Sequence, residues 1–320
     1  MRQGLPFVFA ALALSLADPA AAQSLAGKKI LFVNSYHAGY PWSDGEEKGA
    51  ALALERTGVT LEFARMDAKN HGDDAFRKAA GLKVKAQIEA QKPDVVIVAD
   101  DVAVQYVLQP FFKDAAVPFV FCGLNWDATR YGLPYRNATG MVEVSTAKEL
   151  LAVLRGLSRG ARVGYLTADS ETERFEVPAQ EKQIGTPFAV VKYAKTFAQW
   201  KAGYLDMQKT TDILFLGNYA GITDWNDAEA RAVVRASSTV PTGTAYDFMM
   251  PYSMLGMIKI DQEQGIAAGK MALKILRGAA PSSIPVVANK QSKILINPKL
   301  AAVARVVFKP DIVRAAEVVQ

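Results

Sequence analysis

Among its 320 residues the chain has one cysteine, Cys122, and two histidines, His37 and His71. No intramolecular disulfide can form, and the usual zinc site built from Cys and His ligands cannot be assembled. Other short motifs of common enzyme classes are missing as well. There is no H-E-x-x-H or G-x-G-x-x-G, and Gly269-Lys270 lacks both the upstream Gly and the following Ser/Thr of a phosphate loop. One sign of charge does not dominate: 37 Lys and Arg stand against 32 Asp and Glu, a balance of +5, with no basic cluster beyond pairs such as Lys28-Lys29. That argues for solubility and, weakly, against nucleic acid, which is not expected as a partner. With 50% apolar and 22% charged residues, disorder and fibrous repeats are excluded too. No catalytic residue, metal or cofactor is expected, although a hydrolytic site built on Asp100 or Asp101 alone is left open.

What is present begins with a leader. Arg2, the apolar stretch Leu5 to Ala17, Pro19 and the small residues Ala20, Ala21 and Ala22 before Gln23 have the composition of a secretory signal. The apolar core falls well short of the roughly 20 residues that cross a bilayer. Residues 1–22 are therefore expected to be removed, and the lone cysteine leaves no thiol near Gln23 to carry a lipid. An unanchored, exported, cysteine-poor chain points to a periplasm.

From Lys29 onward, apolar runs alternate with amphipathic stretches. Ile30 to Val33, Val59 to Met66, Val95 to Ala99 and Phe119 to Cys122 lack the alternation of a half-exposed sheet and are expected as buried parallel strands. Helices are expected at Gly45 to Arg56, Asp73 to Ala90 and Val102 to Phe112. A second series follows Met141 to Val144, with strands at Arg162 to Thr167, Phe188 to Tyr193, Ile213 to Gly217 and Pro241 to Ala245. Its helices fall near Ala147 to Leu157, Phe197 to Gln208 and Asp227 to Ser237. Parallel strands need crossovers and covered faces, so the fold class is α/β, with two doubly wound parallel-sheet lobes. The late helix Gln262 to Arg277 is expected to return to the first lobe. The expected lobes are then 23–142 plus 258–284 and 143–257 plus 285–320, joined by a multi-strand hinge crossed near Val142, Ile258 and Val286.

Ligands of open α/β sheets sit beyond the carboxyl ends of the strands, and polar and aromatic residues gather at those ends here. The candidates in the first lobe are Ser35, Tyr36, His37 and Trp42 after the first strand, Asp100 and Asp101 after the third, and Asn125 and Trp126 after the fourth. In the second lobe they are Asn218, Tyr246 and Asp247. Tyr36, Trp42 and Trp126 offer stacking surface. One of Asp100 and Asp101 is expected to cap the following helix, leaving the other for a ligand ammonium or hydroxyl. Cys122, inside an apolar run, is expected as a core thiol.

With these residues in view the chain resembles the ABC transporter substrate-binding proteins of the tryptophan/tyrosine type. The likeness is carried by Asn34-Ser35-Tyr36-His37 with Pro41-Trp42, by Asp94 to Asp101, Phe119 to Asp127 and Gly140 to Glu143, and by Gly265 to Gly278 and Ile294 to Asn297. The resemblance implies the type I periplasmic-binding fold and a solute trapped between two lobes, an amino acid or similar small polar molecule. It further implies delivery to an ABC permease of the inner membrane; relatives with similar segments work as ligand sensors beside histidine kinases, which is the alternative, and an exported α/β hydrolase is a second.

Overall fold

The computed structural model describes residues 24–319; the expected leader at 1–22 lies outside the described residues. The first half alternates strand and helix as β1 (Lys29–Asn34), α1 (Pro41–Leu54), β2 (Thr60–Arg65), α2 (Asp74–Gln91), β3 (Val95–Ala99) and α3 (Asp100–Ala103). A π-helical stretch, Val104–Phe112, continues α3 before β4 (Phe119–Asn125) and β5 (Ala138–Glu143). The second half runs α4 (Ala147–Arg155), β6 (Val163–Ala168), α5 (Glu171–Ile184), β7 (Val190–Ala194), α6 (Phe197–Thr210), β8 (Ile213–Leu216), α7 (Asp227–Ser237), β9 (Thr242–Thr244) and β10 (Leu255–Lys259). Last come α8 (Asp261–Leu276), β11 (Val287–Ala288), β12 (Ser292–Ile296), α9 (Pro298–Val303), α10 (Pro310–Ala315) and β13 (Ala316–Val318).

Two sheets result, ordered β11-β5-β4-β3-β1-β2 and β13-β12-β10-β9-β8-β6-β7. All described pairings are parallel except β10 with β12. The type I arrangement expected from the sequence is thus present. The β-branched run Val95–Ala99 forms β3, which is buried along its whole length between β1 and β4. Such strands carry no alternation because helices cover both faces. Val59 to Met66 was expected to be equally buried and is not: β2 is an edge strand, partly exposed over most of its length. Helix α5 was not anticipated at all. Its sequence is polar and carries Pro178 inside, so it lacks the apolar stripe that marks a helix; its start is instead fixed by Ser170, whose hydroxyl accepts from Glu173 N at 3.2 Å.

Helix α8 lies against α1 in the first lobe, and the approach is close enough to exclude side chains. A β-carbon on Gly265 would overlap the carbonyl oxygen of Glu46, and one on Gly49 would overlap that of Gln262. The chain passes between the lobes at 144–146, at Ile260 and at 289–291. The third passage was expected earlier, near Val286, with 285–320 in the second lobe. However, Val287–Ala288 pairs with Met141–Val142 of β5, so β11 extends the first sheet. The passages are laced together. The Asn289 side chain accepts from Val144 N at 2.6 Å and donates to Val144 O at 3.2 Å, while the Glu263 carboxylate accepts from Lys290 N and Gln291 N, both at 2.9 Å. No helix among the described residues is long and apolar enough to cross a membrane.

Candidate functional site

The carboxyl ends of both sheets face one cavity of about 550 Å³. Its first wall comes from the loop after β1 and the start of α1, with Tyr36, Tyr40, Pro41 and Trp42, joined by Asp100 after β3 and Glu143 at the end of β5. The opposite wall is Asn218 after β8 and Ala245 to Phe248 after β9, and the floor is the hinge itself, Ile258, Lys259 and Asp261. Of the residues expected from sequence, Tyr36, Trp42, Asp100, Asn218, Tyr246 and Asp247 meet at this cavity.

Ser35, His37, Asp101, Asn125 and Trp126 are not among its lining, and the first four have identifiable reasons. Ser35 is fully buried; its hydroxyl donates to Ala99 O at 2.6 Å and accepts from Ala103 N at 2.8 Å. It thereby satisfies an orphan donor at the start of α3, the task assigned from sequence to Asp100 or Asp101. Neither carboxylate caps that helix. Asp101 instead accepts from Asn125 Nδ2 and Tyr131 OH, each at 2.6 Å, so Asp101 and Asn125 tie α3 to β4 rather than face a ligand. His37 turns toward Asp67, 3.4 Å away. Trp126, in left-handed backbone, anchors through its N–H to Glu143 O at 2.9 Å; its indole N–H is buried without a partner. Cys122 is buried, as expected.

The lining is aromatic and acidic at once. Tyr36 and Tyr40 meet edge to face at 5.2 Å, and the Lys69 ammonium stands 4.9 Å from each ring centroid. Lys259 lies 5.7 Å from the Trp42 ring and pairs with Glu143. On the second wall Tyr246 OH donates to Glu173 at 3.1 Å, and Phe248 packs against Tyr246 and Tyr219 at 5.4 and 5.6 Å. Behind them the rings continue: Tyr219 stacks on Trp225 at 4.3 Å, and Trp225 meets Trp200 at 4.9 Å.

Sequence reading did not single out Tyr40, Glu143, Phe248, Lys259 and Asp261 of the lining, nor Glu46 behind it. Of these, Glu46 is the most deeply enclosed. It is wholly buried on α1, and neither carboxyl oxygen makes a hydrogen bond of full geometry among the described residues, the Trp42 indole N–H being the donor near enough to favour its charged form. Asp100 beside it is 3% exposed, in left-handed backbone, with Oδ2 likewise making no such bond. Gly123 is the seam between them, since a β-carbon there would overlap Glu46 Oε1 and come 2.9 Å from Asp100 Oδ1. Burial, and then the charges of Asp100 and Glu143, hold the Glu46 carboxyl well above the usual carboxylate range. Burial, followed by Glu143 and Asp101, does the same to Asp100. Glu143 is raised by burial against the opposing pull of Lys259.

A carboxyl with a raised folded value binds its proton more tightly folded than unfolded. Its contribution to stability is complete below the ordinary range of about 4 and is lost as the pH rises through the folded value. The melting temperature of the empty protein is therefore expected to fall from about pH 5 upward, and Glu46→Gln to flatten that fall. Melts across a pH series check this; parallel slopes for the two proteins would contradict it. Among the described residues no group of three or more His, Cys, Asp or Glu is placed to hold a metal ion.

Two lobes of mostly parallel sheet, hinged by three passages and facing one cavity from their strand ends, define a type I periplasmic-binding architecture. The stretch 254–320 matches the family model for ABC transporter substrate binding protein, so the likeness read from the sequence stands. Among solved structures, the ligand-free, open form of a substrate-binding protein with adhesive properties from Clostridium difficile is 17% identical, with a TM-score of 0.71 over 92% of this chain and 99% of that one. An ABC domain in complex with L-Trp from Streptococcus pneumonia is 19% identical, with a TM-score of 0.55 over 92% and 99%. A periplasmic ribose ABC transporter protein from Conexibacter woesei is 16% identical, with a TM-score of 0.57 over 93% and 100%. No curated protein matches by sequence.

Proposed function

We propose that the protein is a periplasmic solute-binding protein that closes its two lobes on a small ligand, leaves it chemically unaltered and delivers it to an ABC permease. The observation that carries this reading is the cavity at the strand ends, lined by both lobes and by the hinge. A ligand gripped by both walls favours the closed form by its differential affinity for it, and only that form presents both lobes to a membrane partner at a fixed angle. Tyr36, Trp42 and Phe248 supply stacking surface; Asp100, Asn218, Tyr246 and Asp247 supply polar contacts. An amino acid or similar small polar solute fits a cavity of this volume and mixture. The permease half of the reading is supported by the family match over 254–320.

A thermal-shift screen of amino acids, purines, sugars and polyamines tests it. A solute present at about 100 times its dissociation constant should stabilise the protein by about 2.7 kcal/mol, and Trp42→Ala should abolish the shift. A screen with no shift, or steady turnover of an amide, ester or phosphate panel, would overturn the reading.

A further inference from the structure

The cavity's charge balance is unusual for this chain. A protein of net charge +5 places one cation, Lys259, in the lining, and that cation is already paired with Glu143. Asp100, Asp247 and Asp261 line the same space with no ion pair to a lysine or arginine among the described residues, Lys69 and Lys48 acting on Asp100 and Asp261 only from further off, and Glu46 stands directly behind Asp100. A ligand carboxylate would find no free guanidinium or ammonium in this lining. An ammonium would find buried carboxyl oxygens whose nearby donor is the Trp42 indole N–H and which make no hydrogen bond of full geometry, beside aromatic faces of the kind that attract cations. The chain's own lysines already use such faces, Lys69 over Tyr36 and Tyr40 and Lys259 over Trp42.

Two carboxyls this close, both buried, cannot both carry charge in the empty cleft without compensation. We propose that the cleft selects a ligand of net positive charge, whose ammonium docks on Asp100 and expels to solvent a proton held by the Glu46–Asp100 pair. This rests on the solute-trapping reading and names its ligand class. In the step, one carboxyl O–H bond breaks, the proton passes to water, and the ammonium keeps all its own protons. Glu46 and Asp100 are faced by Glu143 from β5, Asp101 from α3 and Asp261 from α8, all of which oppose further negative charge. Lys69 favours it at Asp100, and Tyr36, Tyr40 and the buried Cys122 thiol complete the titratable surroundings. Burial and those acids hold both carboxyls protonated above the usual range, which supplies the proton to be expelled.

The probes are tyrosine amide and putrescine as cations, tyrosine as the zwitterion, N-acetyltyrosine amide as the uncharged match, and ribose. Calorimetry in two buffers of different ionisation heat counts protons released per ligand, with no variant required. The expected result is that a cationic probe binds at least about tenfold more tightly than its zwitterionic or uncharged match. Its affinity should rise several-fold per pH unit between about pH 5 and 7, with close to one proton released. Asp100→Asn, which tolerates the same left-handed backbone, should remove most of that release together with the preference for the cationic probes, whereas Glu46→Gln should leave a proton released from Asp100. Tighter binding of tyrosine or ribose, or cation binding with no proton released, would overturn this inference while leaving solute trapping intact. If no probe shifts the melt at any pH, both readings fall.

Discussion

Replacing Lys259 by methionine is expected to destabilise the protein by about 3–5 kcal/mol near neutral pH, the usual cost of leaving a buried charge without its partner. Glu143 and Lys259 end the strands β5 and β10, one in each sheet, so their ion pair spans the hinge. With side chains only 9% and 19% exposed, solvent screens the pair little. Without the ammonium, the Glu143 carboxyl would rise still further above its unfolded value. The deficit should therefore be complete above that folded value, shrink as the pH falls through it, and be gone below about 4, where the acid is neutral in both states. Adding Glu143→Gln to Lys259→Met should recover most of the loss at neutral pH. Denaturant titrations of the single and double variants at two pH values decide the matter, and a Lys259→Met protein as stable as the parent throughout would refute the argument.

Gly265→Val is expected to cost about 3 kcal/mol or more, at the upper end for overpacking. The added side chain would enter the backbone of α1, where even a β-carbon overlaps Glu46 O and comes 2.7 Å from Ala50 N. Helix backbone cannot yield as a flexible side chain can. If α1 shifts to make room, Glu46 leaves its place at Gly123, so ligand-induced thermal shifts should disappear along with the stability. Lys270→Ala, on the exposed face of the same helix, should change stability by less than about 0.5 kcal/mol. A Gly265→Val protein with parental denaturation and binding would show that the helices can separate freely.

These two sites mark the boundary of what the amino-acid sequence displays. Runs such as Val95–Ala99 and Phe119–Cys122 announce buried strands because hydrophobicity is what places them there. Helix α1 hides its buried face because that face is made of Gly45, Gly49 and Ala50 beside Glu46 and Glu47. Small residues chosen for close approach carry no hydrophobic signal, and an adjacent pair of glutamates reads as a solvated surface. The available clue was spacing: Gly45 with Gly49, and Gly265 with Gly269, repeat at one helical turn. Lys259 was equally hidden, a single charge closing an apolar strand. For Asp101 and Asn125, the types were suited to a ligand, but a strand-end polar residue serves equally well to tie neighbouring elements, and only their mutual hydrogen bonds separate the two roles.

The row of rings running from Phe248 at the cavity through Tyr219 and Trp225 to Trp200 gives the molecule an internal optical reporter. An occupant that moves Phe248 disturbs the stack whose far end is two indoles, so emission from the native tryptophans can follow loading of the cleft in unlabelled protein.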